Sequence, residues 1–168
     1  MNKRNLISLH VKLFWCTLIT LLFIGTAQAQ VWSCIHGQDG NIEYINRVDT
    51  MDRVHIGWGL DFNQKSGLKN WIHFAVPSVH GQSSQYVALQ FYSGSSDAIV
   101  DKVHVYNLGT KVVEIEDLGW SDGWYTEVID LGSKIPFTAL GISVKVGAGV
   151  EMMSHQFIFT GACAFLEP

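Results

Sequence analysis

The sequence predicts an all-β fold, an antiparallel two-sheet β-sandwich of the jelly-roll type. Apolar and polar residues alternate with a period of two through most of the chain, as in residues 103–106 and 142–146. This period is typical of strands that bury one face on a core. The 16 glycines fall mainly between the alternating runs, and no window of a dozen residues shows the apolar stripe of a helix. About ten short strands at this spacing favour two packed antiparallel sheets.

We expect the strands in ten segments along the chain. They span residues 31–35, 42–48, 54–58, 71–76, 86–93, 99–107, 112–116, 124–131, 140–146 and 155–166. Asp39-Gly40 is a tight-turn signal between the first two segments, and residues 81–84 and 94–97 have the composition of flexible loops. The chain contains no internal repeat, low-complexity tract or interdomain linker, which favours a single domain.

Residues 1–29 have the pattern of a secretory signal peptide. A basic start without acids precedes an apolar run at residues 13–24, and Ala27-Gln28-Ala29 supplies a small-x-small cleavage site. We predict cleavage after Ala29, leaving a secreted or periplasmic domain of residues 30–168 with no membrane span. The alternative is a retained anchor, but a helix needs about 20 apolar residues to cross a bilayer and this run is shorter.

The charge of the predicted mature chain disfavours nucleic acid and anionic lipid as partners. Three of the 11 Lys and Arg residues lie in the predicted signal peptide and none of the 15 Asp and Glu residues does, so the mature net charge is −7 with neutral His. Nucleic acid and anionic membranes are bound by clustered Lys and Arg. Since no run of three like charges occurs, we predict no such cluster. The sequence leaves the oligomeric state open.

Two cysteines remain after the predicted cleavage, Cys34 and Cys163. An even pair in an oxidising compartment favours a disulfide. Such a bond would bring the first and last strands side by side or face to face. The alternative is two buried free thiols.

The segment around residues 119–123 is the favoured ligand-binding site. Trp120 and Trp124 flank Asp122, and Tyr125 follows directly. Aromatic faces can stack on the apolar surfaces of sugars, and carboxylates accept hydrogen bonds from hydroxyl groups. The alternative is one Trp packed in the core and the other on a turn, since Trp is usually mostly buried. A second candidate for ligand contact is Trp71 with His73.

The same segment also matches the G-x-S-x-G pattern of serine hydrolases. Ser121, Asp130 and His155 follow one another in the chain order of those enzymes. The pattern requires a preceding strand and a following helix, whereas residues 124–130 alternate like a strand. We therefore interpret residues 119–123 as a hairpin loop.

A hydrolase of another kind remains an alternative hypothesis. Glu114 and Glu116 share one strand face and could act as a carboxylate pair in glycoside hydrolysis, although ordinary solvent-facing positions explain them as well. A third hypothesis is a structural subunit of an extracellular assembly.

The histidines do not form a recognisable metal motif. None lies in an H-x-H or H-E-x-x-H array. If Cys34 and Cys163 face each other on antiparallel neighbours, His36 lies about 20 Å from His155, too far to share a metal. His73 and His104 could meet on one face, but two ligands without a carboxylate are a weak site. We predict no metal and no cofactor.

Four short segments carry a resemblance to a known family. They are Cys-Ile-His-Gly37, Asn-Trp-Ile-His-Phe-Ala-Val-Pro77, Val-His-Val-Tyr106 and Gly-Ala-Gly-Val-Glu-Met-Met-Ser-His155. The mature chain resembles a family of small bacterial secreted proteins known only as a domain of unknown function. The resemblance implies a bacterial secreted β domain and transfers no catalytic residue.

The sequence thus predicts a secreted binding or interaction module rather than an enzyme. The expected ligand is a carbohydrate or another component of the cell envelope. The residues expected to contact it are Trp120, Asp122, Trp124 and Tyr125, followed by Trp71 and His73.

Overall fold

The computed structural model describes residues 30–49, 54–151 and 155–168. The predicted signal peptide, residues 1–29, lies outside the described residues, and its cleavage stays a prediction. Within the described part of the chain, no helix is long and apolar enough to cross a membrane.

The described chain consists almost entirely of strands. They are β1 (Val31–His36), β2 (Asn41–Ile42), β3 (Leu60–Asn63), β4 (Lys69–Val76), β5 (Ser83–Ser93), β6 (Ala98–Asn107), β7 (Thr110–Ile115), β8 (Gly123–Pro136), β9 (Leu140–Ala148) and β10 (Gln156–Glu167). Two short 3-10 helices, Gly37–Asp39 and Ile45–Arg47, lie between the early strands.

The strands form two five-stranded antiparallel sheets. In the first, which we call the front sheet, the order is β1-β10-β5-β8, and β3 pairs with the part of β10 that β1 leaves free. In the second, the back sheet, the order is β2-β4-β9-β6-β7. Consecutive strands alternate between the sheets, except β6 and β7, which are neighbours in the back sheet. This winding is that of a jelly roll, and it confirms the predicted fold class.

The core fills the space between the two sheets. Alternate residues of each strand point into it, as the period of two requires. In β9 the buried residues are Leu140, Ile142, Val144 and Val146, and β5 contributes Val87, Leu89 and Phe91. Phe91 and Phe159 lie at the centre of the front sheet, with ring centroids 5.6 Å apart.

The predicted disulfide joins Cys34 and Cys163, which are direct register partners on β1 and β10. Their Cα atoms are 4.0 Å apart, nearer to the ~4.5 Å of non-hydrogen-bonded antiparallel pairs than to the ~5.5 Å of hydrogen-bonded ones. The bond therefore links the first and last strands side by side and closes 129 residues of chain.

The strand expected at residues 42–48 is wrong, because β2 ends at Ile42. The cause is the buried side chain of Asn70, whose amide holds both backbone groups of Tyr44. The Tyr44 N–H donates to Asn70 Oδ1 at 3.0 Å, and Asn70 Nδ2 donates to the Tyr44 carbonyl at 2.9 Å. With these groups taken by a side chain, the backbone turns into the 3-10 helix instead of pairing with a strand.

The strand expected at residues 54–58 is also wrong. Ile56 and Gly59 exchange backbone hydrogen bonds of 2.9 and 3.1 Å and close a tight turn. The strand begins immediately afterwards, as β3. Leu60 and Phe62 face the core and are fully buried. The alternation of apolar and polar residues therefore begins after the turn, at Leu60, and not at residue 54.

Two connections carry the chain from one sheet to the other. The 3-10 helix Gly37–Asp39, closed by a 2.9 Å bond from the Gly40 N–H to the Gly37 carbonyl, leads from β1 in the front sheet to β2 in the back sheet. The segment 116–122 leads from β7 in the back sheet to β8 in the front sheet. The interpretation of residues 119–123 as a hairpin loop is therefore wrong.

Candidate functional site

The six residues expected to contact a ligand do not lie together. Trp124 is on the outer face of the front sheet and is 59% exposed. Trp120 and Tyr125 are partly buried and pack against the core. Asp122 is exposed on the loop between them. The fifth and sixth residues, Trp71 and His73, lie on β4 in the back sheet.

Trp120 and Tyr125 close one end of the sandwich. The ring of Tyr125 stacks on Phe91 with centroids 5.0 Å apart, and Trp120 lies 5.8 Å from the same phenylalanine. Trp120 also exchanges backbone hydrogen bonds of 2.8 and 3.2 Å with Val100 of the back sheet. The crossing loop is thus tied to both sheets, and these two aromatic residues pack on the core.

The crossing loop does not form a hydrolase elbow. The Tyr125 hydroxyl donates to the Ser121 carbonyl at 2.5 Å and accepts from the Ser121 N–H at 3.2 Å. Asp130 accepts from the Gly132 N–H at 2.8 Å, and His155 Nε2 lies 3.2 Å from Asp97. Ser121, Asp130 and His155 are therefore separate, and strand β8 follows the loop directly.

A groove of about 480 Å³ crosses the outer face of the front sheet. Its lining includes the disulfide and the residues His36, Ala88, Gln90, Thr126, Thr160 and Gly161. The floor is open because Gly161 has no side chain and Ala88 has only a methyl group beside the disulfide. All residues lining the groove lie in the described part of the chain, and none is Asp, Glu, Lys or Arg.

Two aromatic pairs flank this front groove. Tyr92 and Trp124 are register partners on β5 and β8, with ring centroids 5.3 Å apart. Trp32 and Phe165 are register partners on β1 and β10, also 5.3 Å apart. The pairs are at diagonally opposite corners of the sheet, about 20 Å apart along the strands at ~3.3 Å per residue. A ligand lying diagonally across the sheet would contact both pairs and the groove between them.

A row of polar side chains runs through the groove. Thr160 Oγ1 donates to Gln90 Oε1 at 2.7 Å, and Gln90 Nε2 donates to Thr126 Oγ1 at 3.3 Å. At the other end, His36 Nδ1 accepts from the Gln38 N–H at 3.2 Å. These bonds fix the amide and imidazole groups in single orientations, while free lone pairs and N–H groups still face solvent.

The outer face of the back sheet carries a second polar row. Asn41, His73, Ser143, His104 and Glu114 are successive register partners on β2, β4, β9, β6 and β7. The expectation that His73 and His104 could share one face is therefore confirmed, with Ser143 between them.

Each histidine of this row binds a carboxylate. His73 Nδ1 lies 2.8 Å from Ser143 Oγ and its Nε2 lies 3.2 Å from Glu43 Oε2. His104 Nε2 lies 2.9 Å from Glu114 Oε1. Within the described residues, no group of three or more His, Cys, Asp or Glu side chains is placed to hold a metal ion.

The chain from Ser143 through His73 to Glu43 has the hydrogen-bond lengths of a nucleophile, base and carboxylate. Acyl transfer also needs N–H donors aimed at the developing oxyanion. Ser143 is on β9, which pairs with β4 on one side and β6 on the other. The N–H groups of that strand are therefore committed to its two ladders, and it supplies no oxyanion donor.

The carboxylates considered for glycoside hydrolysis are paired with lysines. Glu114 binds Lys111, and Glu116 binds Lys102. Lys145 lies 3.4 Å from Asp101 on the same face. The charges on the outer face of the back sheet are thus largely compensated within it.

Burial and ion pairing shift two pKa values in this row. Desolvation lowers the pKa of His104, although the Glu114 carboxylate acts in the opposite direction. The hydrogen bond from Lys111 lowers the pKa of Glu114, and Lys111 and His104 add to this effect electrostatically. Both shifts favour a neutral imidazole beside an ionised carboxylate near neutral pH.

Trp71 packs beside this row. Its ring centroid is 4.5 Å from that of His104, and the His104 ring is 6.2 Å from that of Tyr106. The two ligand residues expected on β4, Trp71 and His73, therefore lie on the back sheet, away from Trp124.

The residues that the sequence did not suggest are Trp32, Tyr92 and Phe165 and the small residues between them. Their grouping depends on which strands are neighbours, and periodicity does not reveal sheet order. One signal was available: Trp32 precedes Cys34 by two residues and Phe165 follows Cys163 by two. An antiparallel disulfide register places them opposite each other on one face.

The fold is similar to several solved structures. A family 35 carbohydrate binding module from Clostridium thermocellum is 12% identical, covers 79% of this chain and 97% of its own, and has a TM-score of 0.45. A low affinity xylan binding module, CBM86, from Roseburia intestinalis is 11% identical, with coverages of 82% and 96% and a TM-score of 0.49. TmCBM61, solved in complex with beta-1,4-galactotriose, is 17% identical, with coverages of 81% and 88% and a TM-score of 0.42.

No protein-family model matches the chain, and no curated protein matches it. The resemblance to a family of unknown function stays a prediction.

Proposed function

We propose that the protein is a non-catalytic carbohydrate-binding domain that takes a neutral saccharide in the front groove. The observation that carries the proposal is the groove itself, which has an uncharged lining between two aromatic pairs. Contiguous exposed apolar surface of this kind is typical of an interaction site.

The aromatic pairs would supply most of the contact energy. Trp124 is 59% exposed, and the neighbouring Val128 is 58% exposed. Trp and Tyr are enriched among residues whose truncation costs a complex 2 kcal/mol or more. Both faces of a sugar ring carry C–H groups that an aromatic ring can cover, while the hydroxyls around its edge remain available for hydrogen bonds.

The polar row would fix the orientation of the saccharide in the groove. Gln90, Thr126 and Thr160 present amide and hydroxyl groups in fixed positions. Such groups both donate and accept hydrogen bonds, as sugar hydroxyls do. Small numbers of fixed polar groups in a mainly apolar site are typical of small-molecule recognition.

The uncharged lining favours a neutral ligand. A uronic acid or sulfated polymer would place its anions beside residues that include no Lys or Arg, and the desolvation of those anions would be uncompensated. We therefore expect neutral polysaccharides to bind in preference to acidic ones.

We also propose that the domain works outside the cytoplasm, with an envelope or extracellular polysaccharide as its partner. Support comes from the Cys34–Cys163 disulfide, since such bonds persist in oxidising compartments. The signal-peptide pattern of residues 1–29 agrees with this location.

Affinity electrophoresis tests the proposal. Native gels would contain soluble xylan, β-1,4-galactan, a neutral glucan or acidic polygalacturonate. We expect at least one neutral polymer to retard the protein, and Ala88→Trp to abolish the retardation because the new side chain fills the groove floor. Tyr44→Ala is the matched control, because Tyr44 is an exposed aromatic residue on the back-sheet side.

Two results would count against the proposal. One is the absence of retardation by every neutral polymer, and the other is undiminished retardation of a folded Ala88→Trp variant.

A further inference from the structure

The outer face of the back sheet holds a second cavity that the proposed function does not use. It has a volume of about 490 Å³, close to that of the front groove. It lies where β4, β9 and β6 meet the turn between β6 and β7. We call it the back pocket; the residues that matter for its chemistry are His73, Ala75, Tyr106, Leu108, Gly141 and Ser143.

Its floor is open because of one glycine. Gly141 is the register partner of both Ala75 and Tyr106. A Cβ atom built on Gly141 would meet the Tyr106 Cβ at 3.6 Å and the Phe74 carbonyl oxygen at 4.0 Å, which are ordinary contacts. The fold thus tolerates a side chain at position 141, and its absence leaves the space beside the Tyr106 ring open.

The polar end of the back pocket is orientated by the hydrogen bonds of His73. In the tautomer whose Nε2–H donates to Glu43, Nδ1 accepts the hydrogen of Ser143. The Ser143 oxygen then keeps its lone pairs for a ligand. Ser143 is only 6% exposed, so a ligand reaching it is partly desolvated and must bring an N–H or O–H donor.

The back pocket has the same charge character as the front groove. Its lining residues, all within the described chain, include no Asp, Glu, Lys or Arg. The lysines nearby on the outer face are occupied, Lys111 by Glu114 and Lys145 by Asp101. The ring of Tyr106, the open floor at Gly141 and the Ser143 oxygen as a hydrogen-bond acceptor therefore suit a neutral compound with hydroxyl groups.

We propose that the back pocket is a second saccharide-binding site, so that one domain holds two neutral saccharide chains on opposite faces. The inference rests on the proposed function of the front groove and extends it. Sheets in a sandwich pack about 10 Å apart, and the two cavities open away from each other. One polysaccharide strand could not easily enter both, so the domain would link two strands.

Nuclear magnetic resonance separates the two sites. Glycine amide signals report on each, with Gly161 in the front groove and Gly109 and Gly141 in the back pocket. The probes are xylotriose and β-1,4-galactotriose. We expect signals of both groups to shift with at least one probe, and the shifts in the back pocket to persist in Trp124→Ala.

Gly141→Val is the change in the back pocket that corresponds to Trp124→Ala in the front groove. Valine suits a strand position and would occupy the pocket, while Gly109 and Gly161 still report on the two sites. We expect the Gly109 shift to fall at least 10-fold and the Gly161 shift to be unchanged. Thermal unfolding of the variant shows whether the fold is intact. If Gly141→Val does not fold, Tyr106→Ala takes its place with Gly109 as the reporter.

The outcomes distinguish the two proposals. Shifts at Gly161 alone would overturn the second site and leave the front groove in place. Shifts at Gly109 and Gly141 alone would support the second site and overturn the front groove. No shift with either probe would overturn the second site as a binder of these saccharides.

Light scattering tests the linking of two strands. With the polymer that retards the protein in gels, we expect the wild type to raise the scattering at least 5-fold over polymer alone. Trp124→Ala and Gly141→Val should each remove this rise. An equal rise with either variant would contradict linking by one domain.

Discussion

Tyr92 and Trp124 are direct register partners, one position from the end of β5 and one from the start of β8, and their rings lie 5.3 Å apart on the outer face of the front sheet. The inner neighbours of the same two strands, Phe91 and Tyr125, stack at 5.0 Å within the sandwich. The two aromatic pairs thus lie on opposite faces of the same sheet. The buried pair packs in the core, and the rings of the other pair pack against each other on the outer face.

Replacing Trp124 should weaken saccharide binding without harming the fold. We expect Trp124→Ala to raise the dissociation constant about 30-fold, corresponding to about 2 kcal/mol. Because the side chain is mostly exposed, the midpoint of thermal unfolding should change little. Calorimetric titration with the saccharide that binds best measures the first quantity. An affinity equal to that of the wild type would show that the ligand does not contact this ring.

Reducing the disulfide should destabilise the domain strongly. The bond closes 129 residues, for which loop-closure entropy gives about 5 kcal/mol of stabilisation. We expect the urea midpoint to fall when a reductant is added. The double variant Cys34→Ala/Cys163→Ala should have the lower midpoint from the start and should not respond to reductant. Equal midpoints of wild type and double variant would contradict the estimate.

A single methyl group at position 37 should disrupt the passage from β1 to β2. A Cβ on Gly37 would lie 1.7 Å from the Phe159 carbonyl oxygen, so the backbone of β10 or the 3-10 helix must move. We expect Gly37→Ala to destabilise the protein by about 1–3 kcal/mol. Gly57→Ala is the control, since no atom lies within 4 Å of its built Cβ. Chemical unfolding of both variants checks the difference.

The lowered pKa of His104 should make stability fall as the solution becomes acidic. Below pH 6.5 the unfolded chain takes up a proton on this histidine that the folded protein does not yet bind. The stability from His104 is therefore present above pH 6.5 and is lost as the pH falls through the folded pKa. Glu114 acts in the same sense only below pH 4.5, because its folded pKa is also lowered.

His104→Gln isolates this effect. Between pH 7 and 5 the variant should lose stability less steeply than the wild type, by at most about 1.4 kcal/mol per pH unit. Urea unfolding at a series of pH values measures the slope. Parallel curves for the two proteins would show that the folded pKa of His104 is not lowered.

The fold class was predictable because the period of two depends on local sequence alone. The register of β1 and β10 was also predictable in part, since Cys34 and Cys163 can bond only where their strands meet. Residues 42–48 show the limit of this reasoning. Their apolar pattern resembles a strand, but Asn70, distant in the sequence, takes the hydrogen bonds of Tyr44.

The candidate site was less predictable than the fold. Trp124 could be found as an aromatic residue beside polar ones, but its neighbour Trp120 has a different environment, against Phe91. Adjacent positions on a strand point to opposite faces, and a crossing loop breaks the alternation before β8. The front groove combines side chains from β1, β5, β8 and β10, whose order in the sheet is a property of the whole chain.

The most direct test of the front groove is a titration followed by the indole N–H signals of the tryptophans. Xylohexaose, a β-1,4-galactohexaose and a neutral glucan hexasaccharide are the probes, because a trisaccharide is too short to reach both aromatic pairs. We predict that one of them shifts the signals of Trp124 and Trp32 together, with one affinity, since these residues flank the same groove at opposite corners. In Ala88→Trp both shifts should vanish. Unchanged Trp124 and Trp32 signals with every probe would contradict the proposed function.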